Sequence, residues 1–490
     1  MGTLFRNGPG LMEAGTTPLD QPFDGDGMVC AFTFPGDGTV RFRNRFVKTA
    51  GYVAEQKAGR MLFKGAFATG STMPGLFNPL DFSVKNVANT HVVQWGSRLW
   101  ALWEGGLPHE LEPSTLDTVM RNGVAESTWD GAISGKGPFA AHFKVVTHSP
   151  DALDGPPRLV NFGAGRSGND ALITFYEFNS AGACIRKQGV TLPGDSFGFF
   201  HDMLVTPQYY MLFANPMRMD GAKLLTQYMF GRCSIAECLD FDSAVPLKIH
   251  VIARGGAKAG AEALRTFLAP TAFVFHHINA FEVNDKQQLV CDSIAWRAVD
   301  FSNNLKTLDA AYYGVTENNT VGTKPRANQR SELMRYTLDL SASPVQRAAG
   351  AGITAERVIQ RPLEFPCVAS SVVGTPYAHS YGCAAAIDHP VKWGPAQTIV
   401  KVTNGEEAAV WAPGPRCFTQ EPVFVARPGA TAEDDGWLLA LVWNAERERT
   451  QLVILDAQRV AAGPVATITL RHAVPFGLHG SWTQAVHAAA

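Results

Sequence analysis

The chain has 490 residues, 42 basic against 44 acidic side chains, a formal charge of -2 and only 18% charged residues. That balance offers no basic footprint for nucleic acid and no field to steer a polyanion. No apolar run reaches the length of a bilayer span and the start shows no basic-then-apolar pattern, so the expectation is neither a spanning protein nor, as given, an exported one. Forty-seven Gly and thirty Pro, spread without low-complexity tracts, predict many turns between short strands.

In chain order the strand-like runs are HVVQWGSRLWALWEG (from His91), DALITFYEF (from Asp170), YYMLFANP (from Tyr209), VPLKIHVIA (from Val245), KQQLVCDSIAW (from Lys286), WLLALVWNAE (from Trp437) and TQLVILDA (from Thr450). Each is rich in Val, Ile, Leu and aromatics and is bounded by Gly, Pro, Asn or Asp. One window has helical period: in residues 221–230, GAKLLTQYMF, Leu224, Leu225, Tyr228 and Met229 fall near one face. PDALDGPP (150–157) and ARPGATAEDDG (426–436) read as surface loops, and no linker divides the chain. The expectation is one all-β domain over residues 1–490, since closed all-β folds reach that size as single units. The eight cysteines include no CxxC pair and sit mostly among apolar neighbours, which predicts buried free thiols in a reducing compartment.

The stretch with the most chemistry is TAFVFHHINAFE, residues 271–282, where two adjacent histidines interrupt an apolar strand. Neighbours in a strand face opposite sides, so one of His276 and His277 looks inward when the other looks outward. The inward ring needs a partner, either a backbone carbonyl or a metal with its other nitrogen on a carboxylate. On this stretch alone both readings stay open.

Three more histidines lie in or beside apolar or glycine-rich strand-like stretches: His142 in FAAHFKVV, His201 in FGFFHDMLVT and His479 in VPFGLHGSW. No local spacing signature declares a metal. Three glutamates share such settings: Glu104 in LWALWEGGLP, Glu364 in RPLEFPCV and Glu421 in CFTQEPVFV. In chain order the seven run Glu104, His142, His201, His276, Glu364, Glu421, His479, spaced by about 60 residues on average, which suits one inward residue per blade of a seven-bladed propeller. Four neutral imidazoles would leave Fe(II) its full double charge, and carboxylates on their outer nitrogens would offset it and fix the tautomer. For each glutamate alone, a loop or salt-bridge role stays open.

RNGPG (Arg6 to Gly10), FDGDGMV (Phe23 to Val29), FHHINAFE, EDDGWLLALV (from Glu433) and VPFGLHGSW resemble motifs of the carotenoid cleavage oxygenases. With GYVAEQKAG (from Gly51), LWALWEGGLPHELEPSTLDT (from Leu99) and TQLVILDAQ, the chain is similar in particular to the cyanobacterial apocarotenoid-15,15′-oxygenase branch. The resemblance runs over nearly the whole length, with the motifs in order. It implies a seven-bladed β-propeller capped by a dome of loops and short helices, with Fe(II) on the axis. Its four ligands fall on His142, His201, His276 and His479, and the carboxylates behind them on Glu104, Glu364 and Glu421. Relatives with one histidine before the xxNA(F/W)E segment match the first of the pair, so His276 is the implied ligand and His277 faces away.

The activity implied is that of a non-haem Fe(II) dioxygenase, with O₂ as co-substrate, cleaving a carbon-carbon double bond of an apocarotenoid or similar extended apolar alkene to two carbonyl products. Phe67, Trp103, Phe199 and Phe275 are candidates to line a substrate tunnel, with plain core packing as the other reading. Stilbene-cleaving members carry a lysine and a tyrosine where this chain has Trp103 and Phe67, which favours an apolar substrate. Cleavage of stilbenoid or phenylpropenoid alkenes stays as the alternative, because an apolar pocket tolerates an added hydroxyl. A retinoid-type isomerase or lipid-binding protein using the same ligands is a third reading. The implied partner is a small apolar alkene, with no nucleic acid and no protein partner, and with peripheral membrane contact through residues 221–230 or packing of that segment on the dome. Cytoplasm and plastid stroma both suit it. The chain begins almost inside GTLFRNGPG, where relatives carry upstream sequence.

Overall fold

All seven apolar runs named above form strands, joined into antiparallel meanders. The computed structural model describes residues 1–490 apart from 16, 20, 68–83, 136, 257–261, 284–286, 300, 302–330, 388–394 and 488–490. Its sheets are the blades of a seven-bladed β-propeller. Six blades start from His91–Trp95, Lys144–Val146, Leu204–Val205, Phe273–Val283, Glu364–Cys367 and Cys417–Thr419, and each runs outward from there. The remaining blade holds Gly2–Leu11, Asp26–Phe34 and Arg41–Phe46 and takes its innermost strand, Gly480–Thr483, from the far end of the chain. Thr3 pairs with Thr483 and Arg6 with Gly480, so the ring is closed by backbone hydrogen bonds between its two ends.

Burial follows position in the blade. The middle strand Gly436–Asn444 is buried on both faces for most of its length and reads as continuous Leu, Val and Trp. At a rim, Cys184–Leu192 alternates between partly buried and exposed side chains, the period-two pattern of a strand with one wet face. Outer strands such as Arg41–Phe46 place charged side chains in the open, which keeps edges from pairing with other chains. The core lies between blades: Leu204, Phe213 and Ile249 of one pack on Ala280, Cys291 and Tyr336 of the next. All eight cysteines are free, six of them buried, as expected.

Among the described residues the helices are few and short. Gly221–Thr226 forms where the periodicity predicts it, capped by the Asp220 carboxylate, which accepts from the Lys223 N–H at 2.9 Å. Ala50–Ala58 was not expected; Thr49 caps its start and Gly59, at φ 62°, ends it. Among the described residues no helix is long and apolar enough to cross a membrane.

One buried charge network spans two blades. Glu177, with a wholly buried side chain, accepts from Arg254 Nε at 2.8 Å, from the Tyr210 hydroxyl at 2.5 Å and from Arg158 Nη1 at 3.0 Å. Burial alone would raise its carboxyl; these donors outweigh burial and bring it down to about 2. A carboxylate that takes up its proton less readily when folded stabilises the native state above the unfolded value of 4.5, and that contribution disappears as pH falls toward 2. It amounts to about 3 kcal/mol at neutral pH. Glu177→Gln is therefore expected to unfold at lower urea than wild type at pH 7, with the gap closing between pH 4.5 and 2; a gap independent of pH would contradict this account.

Candidate metal centre

The propeller brings all four predicted histidines to its axis. His142 lies two residues before Lys144–Val146, His201 three before Leu204–Val205, His276 within Phe273–Val283 and His479 directly before Gly480–Thr483. Four blades thus each supply one ring from the axial end of an inner strand. The His142 ring centroid is 4.5 Å from that of His201, 5.0 Å from that of His276 and 4.4 Å from that of His479, and those of His276 and His479 are 5.0 Å apart. Ligating atoms of His142, His201 and His276 lie within 4.8 Å of one another, a group able to hold a metal ion; His479 stands just outside it.

The three glutamates come from the three other blades. Glu364 opens Glu364–Cys367 and Glu421 sits between Cys417–Thr419 and Val423–Ala426. Glu104 departs from the one-inner-strand-per-blade expectation, because it lies in the turn after the second strand of its blade, Arg98–Leu102. Each carboxylate holds the outer nitrogen of one ring: Glu104 that of His201, Glu364 that of His276 at 2.5 Å and Glu421 that of His479 at 2.7 Å. An ionised carboxylate only accepts, so Nδ1 of each of these rings carries the proton and Nε2 is the nitrogen turned to the axis.

The electrostatics suit a cation. Burial, reinforced by the other histidines, holds His142 and His479 well below the usual imidazole range. Burial also lowers His276, but Glu364 outweighs it and raises the ring overall. His276 Nε2 is buried without a hydrogen-bond partner among the described residues. Arg6 pairs with Glu421 Oε2 at 2.7 Å, so three carboxylates stand against one guanidinium around the rings, a setting suited to a cation. The orphaned nitrogen, the donor set and this balance all fit a metal.

His277 faces the other way. Its Nδ1 is 2.7 Å from Ser293 Oγ, its ring lies 4.6 Å from that of Phe213, and burial lowers it to about 3. Phe199 and Phe275 pack on the His201 ring, and Phe67 joins the same aromatic cluster through Phe301. Trp103 is buried but lies outside that cluster, beside Gly105 and Gly106. In the 221–230 segment, Leu224 and Tyr228 pack inward with Cys233 and Cys238, while Leu225 and Phe230 are exposed, so the face named from the sequence is divided between core and surface.

Several neighbours escaped the sequence reading. His91 lies within hydrogen-bonding distance of the carbonyls of Ala141 and Gly480, at 3.1 and 3.3 Å, and thus joins the backbone beside His142 to that beside His479. Burial lowers it to about 3, so it is neutral and donates from one nitrogen only. Trp296 Nε1 donates to the second oxygen of Glu364 at 2.6 Å. Phe365 covers the rings of His276 and His479 and has φ 53°, while Phe199 has φ 43°. A bulky residue in the left-handed region costs about 1–2 kcal/mol, so strained backbone flanks the ring on both sides.

These features define a class: β-propellers with an axial histidine centre able to hold a divalent metal. The sequence profile of the retinal pigment epithelial membrane protein family matches residues 1–484. The chain is 39% identical to the apocarotenoid-15,15′-oxygenase of Synechocystis sp. over 487 residues, 99% of this chain and 90% of that one. It is 29% identical to the lignostilbene-α,β-dioxygenase isozyme III of Sphingomonas paucimobilis, covering 99% of this chain and 91% of the relative, and 28% identical to the isoeugenol monooxygenase of Pseudomonas nitroreducens, covering 98% and 91%. The crystal structure of cobalt-substituted Synechocystis apocarotenoid oxygenase superimposes with a TM-score of 0.84 at 38% identity, over 99% of this chain and 92% of that one. The chain belongs to this family, the carotenoid oxygenases.

The opposed settings of the adjacent histidines generate a direct test. His276→Ala is expected to abolish binding of a divalent metal, measured as metal content after loading and desalting, while His277→Ala retains most of it. Equal loss in both variants would assign them the wrong way.

Proposed function

We propose that the protein is a non-haem Fe(II) dioxygenase that cleaves a carbon-carbon double bond of an apocarotenoid, or of a similar extended apolar alkene, to two carbonyl products. The observation that carries this reading is the ring of buried histidines, three of them backed by carboxylates, on a propeller similar over its length to an apocarotenoid oxygenase. His142, His201, His276 and His479 would hold the iron. Fe(II), when bound there, supplies a redox-active centre able to pass electron density to O₂.

The chain's own residues do the rest by placement. Glu104, Glu364 and Glu421 fix the tautomer of three rings and turn Nε2 toward the axis. Phe199 and Phe275, against His201, exclude water and offer an apolar surface to a polyene, so regioselectivity rests on which double bond the wall leaves over the centre. Phe67 adds an apolar ring to the cluster of Phe199 and Phe275, which favours a substrate without a phenol. Leu225 and Phe230 give the 221–230 segment an apolar surface for peripheral contact with the membrane in which such substrates dissolve. The same fold and ring also suit stilbenoid or phenylpropenoid alkenes, a second reading favoured by the similarity to the Sphingomonas and Pseudomonas proteins.

Anaerobically iron-loaded protein offered an apocarotenal, resveratrol and isoeugenol under ¹⁸O₂ separates these readings by mass spectrometry. The expected result is two labelled carbonyl products from the apocarotenal and little turnover of the phenols. Turnover of the phenols alone moves the protein to the second reading, and an unlabelled isomer as sole product removes both oxygenase readings.

A further inference from the structure

Asp202 follows His201 directly, and its side chain is almost wholly buried. Its carboxylate is shared by groups beside two other axial histidines. Lys144, two residues after His142, places Nζ 2.9 Å from Asp202 Oδ1 and 3.2 Å from Oδ2. The backbone N–H of His277, the residue after His276, donates to Asp202 Oδ2 at 2.9 Å. At that point the Phe273–Val283 strand slips register against Gln288–Trp296 on both sides of His277, so this N–H is turned out of the ladder toward the carboxylate. The Met203 N–H completes the set at 2.7 Å.

Three strands, each carrying one axial histidine, are therefore tied to a single buried anion. They are the strands of His142, His201 and His276, the three whose ligating atoms lie within 4.8 Å of one another. His479 stands outside that group and is anchored instead by Glu421 and Arg6. We propose that Asp202, with Lys144, is the positioning residue that gathers His142, His201 and His276 into one ligand set by fixing the backbones that carry them. The proposal rests on the reading of the histidine ring as a metal centre. Asp202 touches neither substrate nor metal in this arrangement; it acts through the strands.

Cobalt(II) tests this without turnover. Metal-free full-length protein is titrated with Co(II) against a competing chelator, and the visible d–d spectrum is recorded, for wild type, Asp202→Asn and Lys144→Met. Circular dichroism confirms folding, and Glu177→Gln serves as a buried-charge control whose partners Arg254, Tyr210 and Arg158 include no axial histidine. Positioning predicts that both variants bind Co(II) roughly ten- to a hundredfold more weakly, with altered spectra, while the control keeps the wild-type Kd and spectrum. A purely electrostatic role predicts opposite shifts, because Asp202→Asn removes a negative charge near the cation and Lys144→Met removes a positive one. Opposite shifts, or values within about twofold of wild type with an unchanged spectrum, overturn the proposal. If Asp202→Asn fails to fold, Lys144→Met decides alone, since tighter or unchanged binding contradicts positioning. Wild-type protein that takes up no Co(II) would remove the metal-centre reading and this proposal together, an outcome distinct from wild-type binding matched by both variants.

Discussion

Imidazoles crowded together away from water repel one another once protonated, and a bare lone pair in an apolar wall costs free energy. The axis of this propeller meets both conditions through the outer nitrogens. Glu104, Glu364 and Glu421 each accept from one Nδ1–H, so three rings keep their tautomer, and burial keeps His142 and His479 neutral. The carboxylates in turn carry charge that burial penalises. Arg6 offsets part of it at Glu421 and the Trp296 indole stabilises Glu364, and a cation at the centre would offset more.

Such a ring needs rigid support, and the propeller supplies it by drawing each group from a different blade. A displacement of one blade would move one ligand against the others, so cross-blade ties carry the precision. The His91 contacts to the backbone beside His142 and His479 are such a tie. The left-handed phenylalanines at 199 and 365 add the opposite kind of feature, local strain maintained by surrounding packing. Their rings lie on the histidines, which ties backbone strain to placement of aromatic surface over the centre.

Much of this architecture is legible in the chain because middle strands such as Gly436–Asn444 are buried on both faces and read as continuous apolar runs. The four histidines and three glutamates stood out as polar residues in apolar surroundings. What escaped depends on contacts remote in sequence or on backbone angle. Arg6 reaches Glu421 across 415 positions, and nothing local marks it as the partner of a metal-site carboxylate. His91 opens an obvious strand, but its role arises only once Ala141 and Gly480 are brought beside it. Phe365 has no composition signal for its positive φ. The Ala50–Ala58 helix had signals, Thr49 and Gly59 at its ends, but its hydrophobic face is weak, so periodicity did not reveal it. Trp103 shows the converse: a residue attractive from its motif that packs away from the main aromatic cluster.

The pairing of Gly2–Leu11 with Gly480–Thr483 has a consequence for how the protein is made. The first blade to leave the ribosome lacks its innermost strand until nearly all the rest of the propeller has been synthesised, and His479 lies at the entrance to that strand. The three-histidine group can assemble earlier, because its blades are contiguous in the chain. Closure of the ring is therefore the last step the sequence permits, and it brings the fourth histidine to the axis with it.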